Sequence, residues 1–155
     1  MSTELISQAR RLTRLTSGTS RQIDLKRGVS NAYYAMFHAL AKECADAVAG
    51  SGANCRPDAW LKAYRSLSHS VAKTSSEQAK KLNFPNDFVL FAEFFAVMQQ
   101  HRHDADYNPH VNYAHADVVT MIDDVEIAIA RLRGASRLEQ RAFVVLVLFP
   151  GKWNR

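Results

Sequence analysis

Apolar residues along this chain recur at steps of three and four almost throughout, the period of an amphipathic helix. Leu5, Ala9 and Leu12 mark a first short helix, with Ser2 or Thr3 as its cap. TSGTS at 16–20 breaks it, and Thr19 with Gln22 three residues on predicts a capping box for the next. That second helix carries a broad stripe of Leu25, Val29, Ala32/Tyr33, Met36/Phe37, Leu40 and Cys44, and should stop by Gly50-Ser51-Gly52. Trp60, Leu61, Tyr64 and Leu67 suit a short helix, and the polar stretch that follows, to about Leu82, reads as a loop with a helical turn or two. Phe84-Pro85-Asn86-Asp87 opens a helix carrying Phe88, Phe91, Phe95 and Met98, which Asn108-Pro109 should end. Pro109 suits the first turn of the next helix, running to about Arg133 with Ala114, Val118, Met121/Ile122, Val125, Ile129 and Leu132 inside and Gly134 as its stop. Ser136 and Glu139 form a second capping box, before a nearly all-apolar end, AFVVLVLF. Its β-branched residues would suit a strand, but no partner strand exists, so a short buried helix is expected.

The expected fold is therefore all-α, an antiparallel, up-and-down bundle of four to five helices over residues 1–133. Residues 134–155 form an apolar C-terminal segment that should cover the bundle or a partner subunit. The 155 residues are enough for one real core. The longest apolar run, Ala142–Phe149, falls far short of the roughly 18 residues a membrane span needs, so no membrane is expected. MSTELISQARR lacks the apolar stretch of a signal peptide. Cys44 and Cys55 alone supply neither a disulfide framework nor a four-thiolate zinc site, which points to a reducing cytoplasm.

The net charge of +5 is unevenly spread. Residues 1–30 hold six basic side chains against two acidic ones, residues 131–155 hold six against one, and the middle is net acidic. Basic ends suit either a polyanion such as nucleic acid or simply solvated helix faces.

Candidate chemistry concentrates in Gln100–His110. The stripe Phe88, Phe91, Phe95, Met98 continues onto Arg102, placing a guanidinium where an apolar side chain is due. A buried charge there requires carboxylates, carbonyls or a bound anion, and Asp106, four residues on, is the obvious partner. The alternative is a structural Arg–Asp pair that ends the helix. Tyr107, His101, His103 and His110 lie nearby, with His115 one or two turns into the next helix. Their spacings are poor for a shared metal, so no metal and no cofactor are expected. An arginine for phosphate with a histidine or tyrosine to move a proton suffices for RNA cleavage by its own 2′-hydroxyl. Tyr34 and His38, four apart, share a helix face beside the stripe; they are either core groups or part of the same cleft.

Tyr33-Tyr34-Ala-Met-Phe37-His38-Ala-Leu, followed by Arg102-His-Asp-Ala-Asp106-Tyr107, resembles the HEPN superfamily. The likeness is nearest to a bacterial branch with an aYYAmFhA second helix and an RxxADY signature. His69, in Leu-Ser-His69-Ser-Val, resembles that branch's element between the helices. The resemblance spans about residues 3–133. It implies an all-α bundle that commonly forms a homodimer with two arginine-bearing helix ends at one cleft. It also implies either a metal-independent endoribonuclease, often a toxin paired with a nucleotidyltransferase antitoxin, or a non-catalytic nucleotide- or RNA-binding module. Nucleolytic members carry Arg, four to six residues, then His. Here seven residues separate Arg102 from His110, and the four-residue spacing falls on Tyr107. The implied catalytic set is Arg102, Asp106, Tyr107 and His110, and the implied binding set is Tyr34, His38, His69 and His103.

Overall fold

The computed structural model describes residues 1–14, 18–149 and 151, without the side chains of 18–20, 72 and 73. Among them the chain is all helical: α1 (Ser2–Thr13), α2 (Gly18–Ala49), α3 (Pro57–Arg65), α4 (Val71–Lys81), α5 (Asn86–Tyr107), α6 (His115–Gly134) and α7 (Arg137–Leu148), with a 3-10 turn at Gly52–Asn54. No described helix is long and apolar enough to cross a membrane.

Four of these helices run up, down, up and down. Ala9 and Thr13 of α1 face Gly28 of α2, while Ser2 and Glu43, at the opposite ends, both bond Arg133. Lys26 reaches Asn108 and Ser30 reaches Asp106, whereas Tyr33, further along α2, meets Phe95, further back on α5. Asp87 at the start of α5 pairs with Arg131 at the end of α6. Each neighbour in chain order is thus antiparallel to the one before. The α2 stripe is buried as its spacing predicts, with Leu25, Val29, Tyr33, Met36, Leu40 and Cys44 all closed off from solvent. Phe88, Phe91, Phe95 and Met98 of α5 meet it from one side, and Val118, Ile122, Val125 and Ile129 of α6 from another.

α3, α4 and α7 add to this frame. α4 replaces the expected polar loop. Its inward stripe is Val71, Ser75 and Ala79, small enough that the segment reads as polar although one face is buried. α7 is helical to Leu148, and Ser136 caps it by accepting from the Glu139 N–H at 3.3 Å. Phe143, Val144, Leu146 and Val147 are buried, and the Phe143 ring lies among Phe84, Phe88 and Phe91. Val145 and Phe149 face outward.

Boundaries differ from expectation at three places. α1 starts at Ser2 with no side-chain cap, and Ile6, Ala9 and Thr13 are its buried face. α2 starts at Gly18, ahead of Thr19, whose side chain lies outside the described residues. α2 ends as foreseen, with Gly50 at φ +82, a conformation that favours glycine. Pro109 does not open α6. The chain first folds back so that Tyr113 is buried, its backbone N–H and carbonyl both bonded by the Gln22 amide and its hydroxyl donating to the His101 carbonyl. That clasp keeps 111–114 out of the helix and delays it to His115, which becomes its first residue, with Ala114, extended and exposed, as its cap.

Candidate functional site

α5 ends where the chain turns at Asn108, and its last turn and a half carries Arg102, His103, Asp106 and Tyr107. α2 passes beside it, and the loop between α3 and α4 brings in His69. Three sequence-distant segments therefore meet at one end of the bundle.

Arg102 is the centre. Its Nε lies 2.7 Å from Asp106 Oδ2. The N–H does not point along that line, so the contact is an ion pair and the buried Nε–H has no hydrogen-bond acceptor. Asp106 is held in turn by Ser30 of α2, whose hydroxyl donates to Oδ1 at 2.6 Å. The guanidinium carbon sits 5.5 Å from the Tyr34 ring centre and 5.6 Å from that of Tyr107, so two aromatic faces flank it. Burial opposes the Arg102 charge, but Tyr34, Asp106 and Tyr107 outweigh it and strengthen its hold on the proton. About a quarter of the side chain remains open to solvent, and Tyr107 is largely exposed. A partly open, charge-balanced guanidinium between rings suits a phosphate flanked by bases.

His69 adjoins the same ring: its imidazole meets Tyr34 edge-on at 6.3 Å. It stacks on Phe37 at 4.1 Å and bonds the Tyr33 hydroxyl through Nδ1 at 2.6 Å. Burial, and behind it the Arg102 charge, lowers its pKa below the ordinary imidazole range. His38 lies one helical turn beyond Tyr34, 6.3 Å from it, and its Nδ1 bonds the Tyr64 hydroxyl at 2.6 Å. The His38 and Tyr64 rings are within 11° of parallel with centres 5.9 Å apart. Burial also lowers the His38 pKa, helped by the chain's N-terminal charge and by His69.

Of the residues singled out in the sequence, Arg102, Asp106, Tyr107, Tyr34 and His69 thus come together. His103 packs its ring on Tyr107 at 5.2 Å, at the outer edge. His38 touches the site through Tyr34. His110 stands apart, exposed in the turn after α5, with its backbone N–H on Asn108 Oδ1. His101 lies against Tyr113 on another side of α5. Among the described residues no group of three or more His, Cys, Asp or Glu side chains is placed to hold a metal ion.

Three contributors were not singled out for these roles: Ser30 and Lys26, which fasten the end of α5, and Tyr64, which holds His38. The signal for Ser30 was its place one turn before Tyr34 on a helix whose other face is core. No local signal pairs residues 36 apart, as Tyr33 and His69 are. The small cavity between Leu40, Phe91, Phe95, Phe143 and Val147 is apolar, at about 10 Å³ too small for a ligand, and does not include Arg102. Compared with family models, with curated proteins and with solved structures, the chain matches none.

Proposed function

We propose that this chain is a HEPN-type protein that acts on RNA at Arg102 as a metal-independent endoribonuclease of the toxin class. The observation that carries the reading is the guanidinium between Tyr34 and Tyr107, open on one side and tied to Asp106. Arg102 holds the scissile phosphate and offsets the charge that builds on it, and the two rings stack on the flanking bases. The exposed imidazole of His103, packed on Tyr107, takes the proton of the 2′-hydroxyl. The 2′-oxygen bonds to phosphorus, the bond to the 5′-oxygen breaks, and water protonates the leaving oxygen. The products are a 2′,3′-cyclic phosphate and a 5′-hydroxyl end. On this reading two copies associate with their α5 ends facing one cleft in the cytoplasm, and a nucleotidyltransferase-type antitoxin restrains them.

A second reading, a nucleotide- or RNA-binding module without turnover, is favoured by one observation: His110 lies exposed in the turn beyond α5 rather than on the helix that carries Arg102. Purified protein incubated with RNA in EDTA separates the two. Cleavage that survives EDTA and disappears in Arg102→Ala supports the nuclease. RNA binding lost in that variant, with no cleavage by wild type, supports the binding module, and wild-type behaviour of Arg102→Ala in both assays removes both.

A further inference from the structure

The contact between Tyr33 and His69 has two arrangements, and satisfying the buried polar atoms selects one of them. The Tyr33 ring is closed off from solvent, among Phe37, Phe95 and Tyr34. Its hydroxyl bonds His69 Nδ1 at 2.6 Å. Were Nδ1–H the donor, the phenolic proton would be left buried without an acceptor, at the full desolvation cost of an O–H group. With the phenol as donor, both atoms are satisfied. A neutral imidazole carries one proton, so Nε2 then holds it. Burial raises the Tyr33 pKa far above the ordinary phenol range, which keeps that proton on oxygen.

The rest of the loop fixes where this N–H goes. Phe37 stacks on the imidazole within 19° of parallel, and Gln99 Nε2 donates to the His69 carbonyl at 2.5 Å. With Nδ1 on the buried Tyr33 hydroxyl and the residue exposed, Nε2 is the ring nitrogen left free of the core, and the Tyr34 ring neighbours both this imidazole and the Arg102 guanidinium.

We propose that His69 is an uncharged hydrogen-bond donor of the anion site, held as its Nε2–H tautomer by Tyr33. A phosphodiester oxygen is then gripped by the Arg102 cation and by a neutral imidazole N–H. Tyr33 is a positioning residue, since it acts through His69. His69 in this state takes no proton from the substrate; it orients and polarises the phosphate, as a neutral donor does in an oxyanion site. The inference rests on the reading of Arg102 as a phosphate site.

Two measurements test it. Nitrogen-15 NMR of the histidine rings at pH 7–8 should show His69 with Nε2 protonated and Nδ1 bare in wild type, and a mixture of tautomers in Tyr33→Phe. A wild-type signal with Nδ1 protonated, or a charged ring, overturns the proposal. In the second, a 2′-deoxy-substituted oligoribonucleotide, which cannot be cleaved by its own hydroxyl, is titrated by fluorescence anisotropy. His69→Ala should bind it about tenfold or more weakly, while His69→Gln, which keeps a neutral N–H, stays within about threefold of wild type. Gln behaving like Ala, or Ala like wild type, overturns the proposal. Arg102→Ala in the same titration separates the layers. Binding lost there but intact in His69→Ala removes the His69 role alone, and binding intact in Arg102→Ala removes the phosphate site beneath it.

Discussion

Phe143→Ala is the sharpest test of whether α7 belongs to the core or is an appendage on it. Phe143 is 1% exposed, and its ring centre lies 5.9 Å from that of Phe84, 5.0 Å from Phe88 and 6.3 Å from Phe91, two of these contacts being edge-to-face. Truncation removes the buried ring and leaves a cavity whose walls, on α4, α5 and α7, cannot all close in. Phe→Ala at such sites costs about 3–5 kcal/mol. Domains of this size hold roughly 5–15 kcal/mol in all, so the loss is a large share of the total. For a chain of this length it corresponds to a fall in Tm of roughly 6–20 °C. Urea unfolding followed by far-ultraviolet circular dichroism measures it, with the midpoint falling and the slope m unchanged. A loss under about 1 kcal/mol, or a smaller m, would show that α7 detaches separately from the bundle, and the single-core reasoning would fail.

Three further outcomes are expected. Ser136→Ala removes the acceptor for the Glu139 N–H and should cost about 0.5–2 kcal/mol in the same assay, with Ser136→Gly nearer neutral. Gly50→Ala combines a positive φ with a Cβ only 3.0 Å from the Asn54 carbonyl oxygen, and should destabilise by more than the roughly 1 kcal/mol by which an unstrained Gly→Ala stabilises. His38 and His69 both have folded-state pKa values below the unfolded imidazole value, so the unfolded chain binds more protons in between. Stability should therefore be flat above about pH 7 and fall as pH drops below about 6.5 through the folded values. A joint His38→Gln, His69→Gln variant should lose that part of the acid sensitivity, as read from thermal midpoints across pH 5–8.

What was legible in the sequence followed from repetition. The α2 and α5 stripes run over many turns of large side chains, so their buried faces could be assigned from spacing alone, and Arg102 stood out because it interrupts one. The Ser136 cap was legible because a capping box is local. α4 was not, because Val71, Ser75 and Ala79 are small, and their burial depends on neighbours far away in the chain. Pro109, a good first-turn residue in isolation, predicts too early a start for α6. The clasp of Gln22 on Tyr113 across 91 residues decides otherwise. The site divides the same way. Arg102 and Asp106 are four apart on one helix and could be paired on paper, whereas Tyr33 with His69 and His38 with Tyr64 join different elements.

The last turn of a helix is normally its loosest part, and a ligand that binds there must first arrest it. Here the end of α5 is fastened from outside the helix. Lys26 donates to the Asn108 carbonyl, Ser30 fixes the carboxylate that steadies Arg102, and both reach across from α2, the most deeply embedded element of the bundle. Immobilising a free arginine and its backbone would cost roughly 2–4 kcal/mol in entropy. Folding has met most of that beforehand, so the anion proposed for Arg102 would encounter a receptor set in advance. Its binding should be governed by fit and charge rather than by the ordering of the chain.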